Sequence, residues 1–214
     1  QFNEHVMMDL AYVPDQTGRK HGYLIMIDDG TDWTVAKHLG VGEKGEKTAQ
    51  ELYRQIEAGW LDWAGPPDSF VADSERGFAS EYLAEMLGRA GTHLLYSASY
   101  APWQKGKVER RIQTFENIVE KIRIHQGIRT DQDMRFAGIE AINAMNQRPA
   151  PGSGVSPALL LFGQRLKLYG ELYKDGENIG YHPAIDAAEE FGRRMQIRCS
   201  AKQATEFVYA KEML

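Results

Sequence analysis

The first forty residues combine apolar runs with turn sequences in a pattern that predicts three strands. Residues 21–28 form a nearly continuous apolar run, which is typical of a central strand buried on both faces. Residues 6–12 and 33–38 form the flanking strands, and turn sequences rich in Asp and Gly separate each of them from the central one. We therefore predict a meander of three antiparallel strands at the start of the chain.

Helical spacing dominates the next part of the chain. Apolar side chains recur every three or four positions in four segments, residues 49–63, 82–90, 108–122 and 134–145. Short apolar runs at residues 69–73 and 93–96 lie between the first three of these segments and predict two further strands. The order predicts an α/β domain with a five-stranded mixed sheet flanked by helices. It resembles the order of elements in the ribonuclease H-like fold.

The last part of the chain carries weaker signals. A length of 214 residues suits one packed domain with an appendage. Beyond Gly170 we predict a helix over residues 184–195 and another near the C-terminus. We therefore expect a core domain of residues 1–168 and a helical extension of residues 169–214, whose function the sequence leaves unassigned.

Three acidic residues occupy informative positions in this pattern. Asp9 lies within the first predicted strand, where aspartate is rare, Asp73 closes the fourth, and Glu109 lies in the first turns of the long amphipathic helix. Strands one and four are expected neighbours, so the three carboxylates would converge. Their mutual repulsion would raise their pKa values unless cations bound. Hard divalent ions prefer such oxygen ligands, and two ions about 3.5–4 Å apart catalyse in-line phosphoryl displacement.

The region around these acids resembles the catalytic core of retroviral and retrotransposon integrases. Residues 100–110 read YAPWQKGKVER and resemble the family's Pro-rich loop and Glu-bearing helix, which we expect to begin at Lys107. Asp73 and Glu109 have 35 residues between them, as in the family's Asp, Asp, thirty-five, Glu signature. Residues 8–10, MDL, resemble the opening catalytic strand.

Two further segments resemble the tail of long-terminal-repeat retrotransposon cores, particularly the gypsy-like group. Residues 146–149 read NQRP and residues 156–163 read SPALLLFG. The resemblance covers residues 2–168. The family's N-terminal zinc module and C-terminal basic barrel are not evident, so we expect a core rather than a complete enzyme.

The resemblance implies a polynucleotidyl transferase of the DDE superfamily, an enzyme that processes DNA 3′ ends and joins them to target DNA. Asp9 would bridge two Mg²⁺ (or Mn²⁺) ions, Asp73 would bind one of them and Glu109 the other. These three residues are the predicted catalytic and metal-binding residues. The implied partners are element DNA ends, target DNA and further copies of the chain. The implied location is the nucleus of a eukaryotic host, or the cytoplasm for a bacterial transposase.

Net charge alone argues mildly against DNA binding, since the whole chain carries −5 and phosphates attract cations. Residues 101–129, however, contain seven basic and three acidic residues, a local charge of +4. Lysine and arginine there would position phosphates without reading sequence, and Trp103 would stack on a base. An ordinary solvated helix has the same composition. The predicted DNA-binding residues are Trp103, Gln104, Lys105, Lys107, Arg110 and Arg111.

Two other functions remain open from the sequence. A bacterial insertion-sequence transposase shares the acidic triad and the loop and differs in its attached DNA-binding module. A domesticated or decayed element would bind DNA or partners without cutting, although all three acids are intact.

The remaining residues of chemical interest have structural interpretations. Asp28, Asp29 and Asp32 are interpreted as turn residues. The six histidines show no metal-ligand spacing and are interpreted as structural or surface residues. Cys199 is interpreted as an inert buried thiol, and a single cysteine excludes a disulfide framework. No stretch approaches the roughly 20 apolar residues that span a bilayer, so no membrane partner is expected.

Overall fold

A mixed five-stranded sheet forms the centre of the molecule. The computed structural model describes residues 1–43, 46–73, 77–96, 102–149, 154–167, 171–174, 177–181 and 189–212; residues 102–105, 171–174, 177–181 and 189–191 are described by their backbone. The strand order is β3-β2-β1-β4-β5, with the first three strands antiparallel and β4 and β5 parallel to β1. The strands are β1 (His5–Pro14), β2 (Lys20–Asp28), β3 (Thr34–Val41), β4 (Ser69–Ala72) and β5 (His93–Tyr96).

Helices cover both faces of this sheet, which confirms the predicted fold class. The helices are α1 (Ala49–Ile56), α2 (Asp62–Ala64), α3 (Glu81–Arg89), α4 (Pro102–Gln126), α5 (Asp131–Gln147), α6 (Pro157–Phe162) and α7 (Glu189–Glu212). A π-helical turn, Glu57–Leu61, joins α1 to α2, and a hairpin of β6 (Glu171–Lys174) and β7 (Glu177–Tyr181) precedes α7. Within these described ranges, no helix combines the length and apolar character needed to cross a bilayer.

The sheet separates two hydrophobic clusters. On one face, α1, the π-helical turn and α3 pack on Val6, Met8 and Leu24. On the other face, α4, α5 and α7 pack on the alternate residues, including Tyr23 and Ile25. Successive residues of β2 therefore enter different clusters. This burial on both faces explains the continuous apolar run that predicted a central strand.

The start of α4 differs from its prediction. The helix begins at Pro102 rather than at Lys107, and Gly106 lies within it rather than in a loop. Proline suits the first position of a helix because its fixed φ is helical and the amide hydrogen it lacks has no partner there. Residues 102–106, expected in the Pro-rich loop, therefore form the start of α4.

The C-terminal segment also differs from its prediction. One helix, α7, occupies residues 189–212 in place of the two expected helices, and the β6–β7 hairpin was not predicted. Ile197, Ala201 and Val208 of α7 are buried in the same cluster as α4 and α5. Cys199 is exposed on α7, so the interpretation as a buried thiol was wrong. The proposed domain boundary at residue 168 stays a prediction.

Candidate active site

Asp9 and Asp73 lie at adjacent positions on neighbouring parallel strands. The register of β1 and β4 pairs Met8 with Ala72, and the two aspartates follow directly after this pair. Neighbouring strands lie about 4.8 Å apart. Alternation along β1 places Asp9 on the face covered by α4, and both aspartates are partly exposed. The structure thus brings two of the three predicted ligands together beside the helix that carries the third.

A fourth carboxylate, that of Glu116 in α4, lies beside Asp9. Burial raises the pKa of Glu116, and the negative charges of Asp9 and Glu120 raise it further. A hydrogen bond that the Tyr12 backbone N–H donates to this carboxylate lowers the pKa but does not cancel the rise. Burial is the larger cause of this shift, and the charge of Asp9 adds to it. No sequence signal distinguished Glu116 from its neighbours, because its closeness to Asp9 depends on how α4 crosses the sheet.

Glu109 lies on the exposed surface of α4, seven residues before Glu116. Seven residues make two helical turns, or about 10 Å along the axis, and keep both side chains on one side of the helix. Glu109 therefore lies on the same face of α4 as Glu116, whose pKa the charge of Asp9 raises. Its role as a metal ligand stays a prediction.

Lys107 connects α4 to the turn between β2 and β3. Its Nζ donates to the Asp29 carbonyl at 2.8 Å and lies 2.8 Å from Oδ1 of Asp32. Burial opposes the charged form, but Asp32 and Asp29 outweigh it and raise the pKa of Lys107. Asp28 accepts hydrogen bonds from the backbone N–H and the hydroxyl of Thr31, so the turn interpretation of these aspartates is confirmed.

The two arginines predicted to contact DNA have different surroundings. Arg110 is exposed, and its Nε donates to the Gly106 carbonyl within α4. Arg111 is buried, and its guanidinium donates to the Thr34 hydroxyl, the Asp32 carbonyl and the Tyr209 hydroxyl. These contacts give Arg111 a packing role between the sheet and α7. Its phosphate contact, like that of Arg110, stays a prediction.

Three predicted DNA-contacting side chains lie outside the described part of the structure. Trp103, Gln104 and Lys105 belong to the first turn of α4, where the backbone alone is described. Their assignment to DNA stays a prediction.

A second group of potential ligands lies at the other end of β2. Nδ1 of His21, Nε2 of His38 and Oδ1 of Asp131 all lie within 4.8 Å of one another. Burial lowers the pKa of His38 to about 4; Asp131 opposes this shift, and His21, Arg135 and Lys47 add to it. Sequence spacing missed this group because pairing of β2 with β3 brings the histidines together.

Buried Asp15 fixes the orientation of His21. Nε2 of His21 lies 3.3 Å from Oδ2 of Asp15, whose side chain is fully buried. Burial tends to raise the pKa of Asp15, but hydrogen bonds from Thr17 and Arg19 hold it well below its usual range. The Asp15 carboxylate is therefore ionised and accepts the Nε2 proton, which leaves the lone pair of His21 on Nδ1.

Comparison with known proteins gives matches in structure. No family model matches this chain, and no curated protein matches it in sequence. The HTLV-2 integrase catalytic core domain in complex with magnesium superposes with a TM-score of 0.55 at 15% identity, over 72% of this chain and 93% of that one. The catalytic core domain of BIV integrase gives 0.56 at 16% identity, over 74% of this chain and 93% of that one.

A larger assembly gives a similar result. A chain of the simian T-cell lymphotropic virus intasome, in complex with PP2A regulatory subunit B56 gamma, superposes with a TM-score of 0.61 at 15% identity. The match covers 80% of this chain and 58% of that one. The HTLV-2 core is described in dimeric and trimeric forms.

Sheet order and helical layers define a ribonuclease H-like α/β domain. More particularly, the chain has the fold of retroviral integrase catalytic cores. This confirms the fold that the sequence resemblance implied.

Proposed function

We propose that this chain is the catalytic core of a retroelement integrase, a divalent-metal-dependent polynucleotidyl transferase that processes DNA 3′ ends and joins them to target DNA. The observation that carries the proposal is the register of β1 and β4, in which Asp9, on the sheet face that α4 covers, lies beside Asp73, the residue after β4. Pairs of acidic residues are common in a chain with 30 of them. The placement of the two aspartates therefore supports the proposal only together with the integrase core fold.

The donor set at this place fits divalent metal ions. Asp9, Asp73 and Glu109 would offer carboxylate oxygens, which Mg²⁺ and Mn²⁺ prefer. Glu116 is a further carboxyl group on which the charge of Asp9 acts. When bound, two ions would lower the pKa of an attacking water and stabilise charge on the leaving oxygen.

The residues of the chain itself act mainly by positioning. Strands β1 and β4 hold Asp9 and Asp73 on rigid backbone, which limits the reorganisation that the reaction requires. The Lys107 contacts with Asp29 and Asp32 orient the first turns of α4, where Glu109 lies. In the first step a water oxygen would attack a phosphodiester phosphorus and displace the 3′-oxygen, which leaves as a hydroxyl. In the second step that hydroxyl would attack a phosphorus of target DNA and displace a target 3′-oxygen.

DNA would approach along the first turns of α4. Arg110 is exposed there, and the predicted contacts of Trp103, Gln104 and Lys105 belong to the same part of the helix. Phosphate contacts of this kind would fix the position of the duplex and leave sequence selection to other residues. We place this activity in the nucleus of a eukaryotic host and expect the chain to act as a homo-oligomer.

The proposal is tested with a branched oligonucleotide that mimics a strand-transfer product, because its resolution depends little on end sequence. We expect the chain to cut and rejoin this DNA with Mg²⁺ or Mn²⁺ and not with EDTA. Glu109→Gln should reduce the rate by about 10³-fold, since metal coordination contributes several kcal/mol and each 1.36 kcal/mol is tenfold in rate.

Two variants of the same helix serve as controls. Glu120→Gln removes a half-exposed charge and should leave the rate within about twofold, because its ion pair with Arg123 is 3.5 Å long and partly open to solvent, and such pairs contribute little. Glu116→Gln distinguishes the two candidate glutamates. If Glu116→Gln loses the metal-dependent activity and Glu109→Gln keeps it, the third metal ligand is Glu116 rather than Glu109. Absence of any metal-dependent reaction would refute the proposed function.

A further inference from the structure

We propose that His21, His38 and Asp131 form a binding site for a divalent ion of the Zn²⁺ class, separate from the carboxylates of β1 and β4. The histidines lie on β2 and β3, and Asp131 is the first residue of α5. An ion bound there would join β2 and the edge strand β3 to the helix that covers them. The inference stands on this geometry alone and is independent of the proposed DNA chemistry.

The spacing of the three donor atoms suits tetrahedral coordination. Nδ1 of His21 lies 3.1 Å from Nε2 of His38 and 3.5 Å from Oδ1 of Asp131. Nε2 of His38 lies 3.9 Å from the same oxygen. Ligand atoms about 2.0–2.1 Å from a tetrahedral zinc ion lie roughly 3.3 Å from one another. The three separations are close to this value, and an ion would take the place of the hydrogen bond between the two imidazole nitrogens.

The chemical nature of the donors selects the class of ion. Two imidazole nitrogens and one carboxylate oxygen form a ligand set that Zn²⁺ and similar transition-metal ions accept, whereas Mg²⁺ prefers an all-oxygen set. Three protein ligands leave a fourth position for water. The Asp131 side chain is 60% exposed, so this position is open to solvent.

The surroundings of His21 are those of an oriented ligand. Metal-bound histidines usually donate their second ring N–H to a carboxylate or carbonyl, which fixes the tautomer. Asp15 supplies such a carboxylate, and Thr17 and Arg19 hold it by a hydroxyl hydrogen bond of 2.6 Å and an ion pair of 2.8 Å. The lone pair of Nδ1 is thereby directed toward His38 and Asp131.

The site is distinct from the candidate active site. His21 pairs with Val13 of β1, four residues beyond Asp9. Four residues of strand span about 13 Å, which is too far for one ion to contact both sites. The neighbouring charges of Lys47 and Arg135 oppose a cation, so the affinity should be lower than that of a site without them.

The test is isothermal titration calorimetry of the full 214-residue chain with ZnCl₂, together with visible absorption of the Co²⁺ form. We expect one ion whose binding is weakened by Asp131→Asn and by His38→Ala. The loss should be at least the roughly 10- to 100-fold that removal of an outer-shell partner costs. Tetrahedral Co²⁺ bands should disappear in both variants.

Matched controls replace exposed residues of the same types. Asp62→Asn and His93→Ala should bind the ion as the unchanged chain does, because both residues lie on other parts of the surface. Asp131→Asn keeps the test valid if the more buried His38→Ala fails to fold. Absence of Zn²⁺ binding, or binding that is equal in the Asp131→Asn variant and in Asp62→Asn, would overturn the proposal.

Discussion

Replacement of Asp9 by asparagine should abolish metal-dependent DNA strand transfer and leave the chain folded. Asparagine keeps the shape of the side chain and removes the charge that would bridge two ions. The rate should fall by about 10³-fold or more, because metal stabilisation of the transition state contributes several kcal/mol. The assay is resolution of the branched oligonucleotide described above, with Asp62→Asn as the matched control.

The stability of this variant separates loss of catalysis from loss of fold. The pKa of Glu116 is raised in the folded chain by burial and by Asp9. At Glu116 the folded chain therefore keeps its proton to a higher pH than the unfolded chain does, so the contribution of this residue to stability falls as pH rises from the usual glutamate pKa to the raised value. Asp9→Asn should make this fall smaller in thermal melts without metal. An inactive variant that is also unfolded would contradict the expectation.

Replacement of Glu140 by leucine should destabilise the whole fold by about 3–5 kcal/mol, because it leaves a buried arginine without its carboxylate. Glu140 of α5 is 1% exposed, and its oxygens lie 2.8 Å from Nε of Arg198 and 3.2 Å from Nε of Arg194. Arg198 is 3% exposed on α7. Removing the shared anion therefore leaves a desolvated positive charge between the two helices.

An exposed ion pair between the end of α5 and α7 provides the control. Arg148, at the end of α5, lies 2.9 Å from Glu206 of α7, and both side chains are at least 40% exposed. Glu206→Leu should cost less than about 1 kcal/mol, as exposed ion pairs generally do. Urea unfolding of both variants gives the comparison. Equal, small effects would show that α7 does not pack on α5 as described.

The order of strands and helices along the chain could be predicted because the pattern of apolar residues in each element follows the burial of that element. β2 is buried on both faces and reads as a continuous apolar run, while the short strands β4 and β5 lie between strongly periodic helices. These patterns depend on local sequence, so no tertiary information was needed.

The C-terminal helix could not be predicted in the same way. The buried side of α7 includes Arg198, Ser200 and Thr205 beside small alanines, which weakens the apolar period. Arg198 is buried only because Glu140, 58 residues away in sequence, neutralises it. Cys199 falls between two buried residues and still points outward, which helical geometry decides and composition does not.

Part of the candidate site was also beyond sequence reasoning. Asp9 was predicted as a ligand because aspartate is rare within a strand, and Asp73 because it closes the fourth strand and lies at the family's spacing from Glu109. Glu116 and the group of His21, His38 and Asp131 depend on long-range packing: α4 crosses the sheet beside Asp9, and strand pairing joins the histidines. Their sequence spacing carries no signal of either arrangement.

The proposed active site requires that Asp9, Asp73 and Glu109 share divalent ions. The most direct measurement is an anomalous difference map from crystals of the chain soaked in Mn²⁺. Two peaks are expected about 3.5–4 Å apart, with Asp9 in contact with both and Asp73 and Glu109 in contact with one each. No peak within coordination distance of Asp9 and Asp73, or a helix ligand contributed by Glu116 in place of Glu109, would contradict the account.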